Sequence, residues 1–236
     1  MIPRRQLPSR PEDPVVTMGS REATDALLTA LREDGWRPAG WARFLGRAAR
    51  RSAVQAARRP RALTEVTALH GAVLLLTRGQ GRRWITVSWA LAAAHLGMLE
   101  QRSRLSVADV LTLCRASLPV LGTRHVRWIG IVAIATDVAD GRLARRRHAV
   151  CPFGTYADHL ADAAFWTWLV MRHEPNRYLR AAALAVWAAP VVTVTACSLT
   201  RGRMAQAPRP VVLRPAAAMQ ALIALRRLRD RPPQRA

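Results

Sequence analysis

The sequence predicts an all-α, polytopic helical membrane bundle with a basic, partly helical N-terminal cytoplasmic segment. Three observations lead there. From Leu63 onward, apolar segments alternate with Arg-bearing breaks, the pattern of successive buried or membrane-crossing helices. The charge is unevenly spread: residues 1–61 hold 13 Arg and 6 acids, and residues 200–236 hold 9 Arg and one acid, around a much less charged middle. No strand-like alternation or hairpin signal appears, so β structure is not expected. Half of the 236 residues are hydrophobic, too many for wholesale disorder. Three widely spaced Cys form neither a disulfide framework nor a metal pair.

The elements follow in order. Residues 1–20, with Pro3, Pro8, Pro11 and Pro14 close together, read as an unstructured basic tail, and no signal peptide is expected. Ser20 to Asp34 reads as an amphipathic helix with Ser20 as N-cap and Ala23, Leu27, Leu28 and Leu31 on one face, stopped by Gly35. Trp36 to Arg59 places Trp41, Phe44 and Leu45 beside Arg43, Arg47, Arg50 and Arg51. That stretch reads equally as a solvated helix on its neighbour or as a helix lying at a membrane surface. Apolar segments then run over about 64–77, 84–99, 105–121, 126–141, 156–171, 178–200 and 211–225. Ala181 to Thr200 is 20 residues without a charge, long enough to cross hydrocarbon. The division expected is a basic interfacial segment (1–62), an additional transmembrane helix pair (63–100), a core (101–227) and a basic tail (228–236).

The formal net charge of +22 is carried by Arg alone, with no Lys. Basic ends flanking apolar helices fit an anionic cytoplasmic leaflet, so membrane lipids rather than nucleic acid are the expected partners.

Between Val110 and His173 the only acids are Asp137, Asp140, Asp158 and Asp162. An ionised Asp in an apolar segment is costly and marks a site unless it is paired. Asp137 and Asp140 are i,i+3 and Asp158 and Asp162 are i,i+4, so each pair shares a helix face. The stretch between them, with Arg145, Arg146, Arg147, His148, Cys151, Pro152 and Gly154, reads as a turn at a membrane surface that makes the two helices antiparallel neighbours. Four facing carboxylates repel, and they either hold protons or bind cations. Oxygen-only ligands suit Mg²⁺ or Mn²⁺. The competing reading is surface ion pairing with Arg142, Arg145, Arg146 and Arg147.

The window reads Asp137-x-x-Asp140-Gly141-x-x-Ala144-Arg145, then eight residues, then Gly154-x-x-x-Asp158-x-x-x-Asp162. These 26 residues carry the full signature of the CDP-alcohol phosphatidyltransferase family, which the chain therefore resembles. Upstream, Asp109-x-x-Thr112-x-x-Arg115 looks like the Asn-x-x-Thr-x-x-Arg that often opens the family's first core helix, with Asp in place of Asn. The resemblance implies an integral membrane enzyme that displaces CMP from a CDP-alcohol, usually CDP-diacylglycerol, with the hydroxyl of an acceptor alcohol. It implies that Asp137, Asp140 and Asp158, with Asp162 near them, hold divalent Mg²⁺ or Mn²⁺, two ions, and that Asp162 is the general base. It assigns Gly141, Ala144, Arg145 and Gly154 to the nucleotide site, where small residues leave room and Arg145 can fork onto phosphate oxygens. Arg201 and Arg203 are candidate contacts to a phosphorylated polyol acceptor, or else a positive-inside signal. Arg115 reaches a phosphate or pairs with a neighbouring carboxylate. The resemblance also implies a multi-pass protein of the cell membrane with its active site facing the cytoplasm, and homodimers are common in the family. His159, Trp166, Trp168 and Trp187 are expected to be structural, and Cys151 has no expected partner. The alternatives are a catalytically inactive lipid- or partner-binding member, and an Asp-rich prenyltransferase, which needs a second Asp cluster that is absent here.

Overall fold

A computed structural model describes residues 13–121, 126–205 and 210–229. Ten α-helices and no strand occur among them: α1 (Ser20–Glu33), α2 (Pro38–Ala57), α3 (Pro60–Leu76), α4 (Arg82–Ala94), α5 (Val107–Ala116), α6 (Leu118–Leu121), α7 (Val126–Arg146), α8 (Pro152–His173), α9 (Arg177–Arg201) and α10 (Pro210–Arg229). The expected all-α class holds.

Local chemistry sets the boundaries. Pro38, Pro60 and Pro152 open α2, α3 and α8 at their first turns, where a missing N–H costs nothing and φ is already helical. Asn176 caps α9 by accepting from the amides of Tyr178 and Leu179. Gly202, at φ +64°, ends it in the left-handed conformation that glycine adopts without strain.

Two apolar cores organise the bundle. One gathers Ala62 and Val66 of α3, Ala92 of α4, Leu96 and Leu99 of a following 3-10 turn, Leu113 of α5 and Phe153 of α8. The other gathers Ile129 and Ala133 of α7, Phe165, Trp166, Leu169 and Val170 of α8, Ala183 of α9, and Ile223 and Ala224 of α10. α8 thus runs through both, and its Asp158 and Asp162 fall between Phe153 and Phe165, at the seam. Trp166 is buried, and Trp168 and Trp187 pack around it, the structural role expected.

Several expectations are corrected. Residues 13–20 are not an unstructured tail: Asp13 caps a 3-10 turn at Pro14–Val16 that buries Val15 and Val16, because two β-branched side chains can close the apolar face of α1. Residues 1–12 lie outside the described residues. Gly19, not Ser20, is the N-cap of α1, and the Ser20 hydroxyl donates instead to the Gly97 carbonyl at 3.3 Å. The 84–99 segment divides into α4 and the turn at Leu96–Leu99. At 13 residues, α4 rises about 20 Å, less than the ~30 Å of a hydrocarbon core. The 105–121 segment breaks at Ser117 into α5 and α6. α7 and α8 are not primarily each other's neighbours: α5 is wedged between them and packs along both. The polytopic bundle is carried only in part. One described helix, Arg177–Arg201, is long and apolar enough to cross a membrane. The tail over 230–236 lies outside the described residues.

Candidate metal centre

The site grows from the short helix α5. A capping box starts it: Ser106 Oγ accepts from the Asp109 amide at 3.2 Å, and Asp109 Oδ2 accepts from the Ser106 amide at 2.7 Å. Two orphan donors of the first turn are thereby satisfied. The three-residue spacing then aligns Asp109, Thr112 and Arg115 on one face, and all three are buried.

Arg115 is fully buried and has four carboxylates around its guanidinium. It donates to Asp140 Oδ2 at 2.9 Å and to Asp158 Oδ1. It also pairs with Asp137 Oδ1 at 3.3 Å and with Asp162 Oδ1 at 3.0 Å. α7 supplies two of these acids and α8 the other two, so the wedge position of α5 is what gathers them. Thr112 Oγ1 donates to Asp140 Oδ2 at 2.9 Å. From α10, Gln220 Nε2 donates to Asp162 Oδ2 at 3.4 Å.

The four acids are not equivalent. Carboxylate oxygens of Asp137, Asp158 and Asp162 lie within 4.8 Å of one another. Asp140 is nearly buried and committed to Thr112 and Arg115. Four carboxylates face one guanidinium, more acids than the fully buried Arg115 can balance. Asp162 Oδ1 is buried without a hydrogen-bond partner among the described residues, although Arg115 lies beside it. An oxygen-only cluster of Asp137, Asp158 and Asp162 with more carboxylates than cations fits hard divalent cations.

The other sequence-designated residues fall as follows. Gly141 leaves the space into which Arg145 folds, since a Cβ there would meet Arg145 Nη1 at 3.3 Å. Ala144 is half-buried and Arg145 exposed at the end of α7. Gly154 admits α5 rather than α7: a Cβ on it would lie 2.9 Å from Asp109 Oδ1. Arg201 and Arg203 are exposed, and the structure does not bring them into contact with the carboxylates. Their loop is instead tied to α1, with Thr29 donating to the Gly202 carbonyl at 2.9 Å and the Met204 amide donating to Asp25 at 2.6 Å. Tyr156, two residues before Asp158, donates to Met204 Sδ at 3.5 Å, which sets this loop beside the start of α8. The arginines near the signature do not neutralise the cluster; the ion pairs come from Arg115. His159 is exposed. Cys151 does have partners: it caps α8 through the Gly154 amide and accepts from Arg102 Nη2 at 2.6 Å.

Sequence reasoning left out Gln220 and Arg102. The signal for Gln220 was a lone amide in an Ala- and Leu-rich segment. Arg102 had only its position seven residues before Asp109.

A family model described as CDP-alcohol phosphatidyltransferase matches residues 105–226, from the residue before the α5 cap to the last turns of α10. Comparison with curated proteins and with solved structures gave no match.

Proposed function

The chain belongs to the CDP-alcohol phosphatidyltransferase family, transferases of substituted phosphate groups in lipid synthesis, and from that premise we propose an integral membrane enzyme that moves a phosphatidyl group from CDP-diacylglycerol to an acceptor alcohol and releases CMP. The observation that carries the reading is the gathering of four carboxylates on the single, fully buried guanidinium of Arg115.

Asp137, Asp158 and Asp162 hold divalent cations, Mg²⁺ or Mn²⁺, with Asp140 beside them. When bound, the cations supply positive charge against the pyrophosphate and the leaving CMP. Arg115 is a positioning residue: its guanidinium holds the four carboxylates together, beneath them and away from solvent, so the phosphate role considered for it loses support. Arg145, exposed at the end of α7, forks onto nucleotide phosphate oxygens in this reading. Asp162 accepts the proton of the acceptor hydroxyl, its carboxylate oriented by Arg115 on Oδ1 and by Gln220 on Oδ2. The acceptor oxygen forms its bond to phosphorus as the bond to CMP breaks, and CMP leaves with the electron pair.

Two features support the membrane setting. α9 has almost none of its apolar window buried, and Val191 and Val192 are more than half exposed, so lipid is the natural cover for this helix. The loop after α9, with Arg201 and Arg203, and Arg21 and Arg32 of α1 gather at the end of the bundle where α8 begins. The positive-inside rule puts that end, and the site, toward the cytoplasm. A phosphorylated polyol is the acceptor class that these arginines favour.

The test is CMP release from CDP-diacylglycerol by purified protein with Mg²⁺ or Mn²⁺, across a panel of acceptor alcohols, with Asp158→Ala as blank. Release with one acceptor, absent from the blank and without metal, is the expected result. Protein that binds CDP-diacylglycerol but releases no CMP with any acceptor would contradict the reading and leave a lipid-binding role.

A further inference from the structure

A second charged centre lies outside the family-matched residues. Between α2 and the loop after the Leu96–Leu99 turn is a cavity of about 730 Å³, the size of a small-ligand site. Arg51 of α2, Arg58 and Arg59 of the α2–α3 link and Arg102 of the loop line it, and Glu100 is the one acid among its described lining residues.

The guanidiniums of Arg51 and Arg59 are held in place by neutral groups. Arg51 Nη1 donates to the carbonyls of Val15 and Val16. Arg59 Nη2 donates to the Glu100 carbonyl at 2.8 Å, and its Nη1 donates to Gln55. Gln55, itself buried, donates to the Val16 carbonyl at 2.6 Å. Carbonyls and amides fix these side chains without cancelling their charge. Burial first, and then a neighbouring guanidinium, disfavours the charged forms of Arg51 and Arg59. Arg102 pairs with Asp109 at 2.8 Å, yet its Nε is buried with no hydrogen-bond partner among the described residues. The rigid planar forks of Arg51 and Arg59, held by neutral groups at one cavity, match the tetrahedral oxygens of a phosphate group.

We infer that this cradle is a binding site for a phosphate group, presented by a lipid headgroup or by a soluble phosphate ester, and separate from the carboxylate cluster. Six residues of α5, about 9 Å of helix rise, separate Asp109, which Arg102 holds, from Arg115. The inference does not depend on the transferase reading, because the cradle contains none of the carboxylates and its test needs neither metal nor nucleotide.

The experiment titrates inorganic phosphate into the full-length protein in zwitterionic detergent with EDTA, followed by calorimetry. One saturable site is expected. Its affinity falls about tenfold or more in Arg59→Gln, the loss of a charged hydrogen-bond donor, and is unchanged in Arg177→Gln at the start of α9. Ser103→Asp, at an exposed position on the cavity wall, adds a negative charge while leaving every arginine contact in place. It is expected to weaken phosphate as strongly, so a folding defect in Arg59→Gln cannot explain the result. Repeating the titration in phosphatidylcholine nanodiscs with and without phosphatidic acid separates the sources. Loss of phosphate binding in the acidic discs assigns the site to a lipid headgroup, and retention assigns it to a soluble ester. Absence of saturable binding by the folded wild type, or equal affinity in all four proteins, overturns the inference.

Discussion

Two charged centres lie toward opposite ends of α5, and they are built in opposite ways. In the acidic one, four carboxylates share a single guanidinium that is fully buried. In the basic one, Arg51 and Arg59 face a cavity and are held by carbonyls and an amide. Each gathers charge of one sign: carboxylates on Arg115, and guanidiniums at the cavity. Gathered charge of that kind costs stability unless a ligand of opposite charge binds. The comparison therefore reads each site's ligand from what its own residues leave unbalanced: cations for the seam between the cores, and a phosphate for the cradle.

The contrast breaks most sharply at Asp162. Asp162→Asn keeps the side chain's size and removes the proton acceptor, so CMP release should fall by about 10³-fold, within the range for loss of a general base, while CDP-diacylglycerol still binds. Retained turnover would remove Asp162 from the base role. Next in size is Arg115→Met. Deleting the one cation of a buried cluster costs about 3–5 kcal/mol, read as a lower melting temperature. If the excess charge is what cations answer, added Mg²⁺ should raise the melting temperature of this variant more than that of the wild type. An equal Mg²⁺ effect would separate metal binding from the cluster.

A smaller effect is expected where the two centres meet. Gly154→Ala puts a Cβ 2.9 Å from Asp109 Oδ1, so the buried Asp109 carboxylate or the helices that carry the pair must shift, at a cost of about 1–3 kcal/mol in chemical denaturation. Since Asp109 also holds Arg102, this variant should weaken phosphate binding at the cradle as well as turnover. Loss of only one would show that the centres are not tied through α5. The smallest effect concerns Asp13, whose carboxyl is held below the usual range first by the hydrogen bond from Arg47. A lowered carboxyl contributes stability above its unfolded value and loses it as pH falls through the folded one. Docking of the Pro14–Val16 turn on α2 should therefore loosen only in acid below the ordinary carboxylate range. Asp13→Asn should abolish that acid-dependent step in hydrogen exchange of the Val15 and Val16 amides.

The two centres also differ in how far the sequence displays them. The acidic site lies within 26 consecutive residues, and helical periodicity alone puts each Asp pair on one face. What periodicity cannot convey is which helix a face meets. Turn length suggested that α7 and α8 pair directly, but the wedge of α5 between them depends on small residues and packing spread over distant segments. Gly154 illustrates this: its missing side chain makes room for Asp109, 45 positions earlier in the chain. The cradle draws on residues around 15–16, 51–59 and 97–103, with no pattern within any one of them. Arginines there are indistinguishable in sequence from a solvated basic face. Val15 and Val16 were hidden in the same way among prolines, since only the docked α1–α2 pair gives them a surface to cover.

The central claim, that the cluster around Arg115 is a divalent-cation site, is tested most directly by electron paramagnetic resonance of Mn²⁺ titrated into the purified protein. The account predicts a bound, saturable Mn²⁺ signal in the wild type that is lost in Asp158→Ala and displaced by Mg²⁺. Folded wild-type protein whose Mn²⁺ spectrum stays that of the free ion, or an Asp158→Ala variant that binds Mn²⁺ as the wild type does, would contradict it.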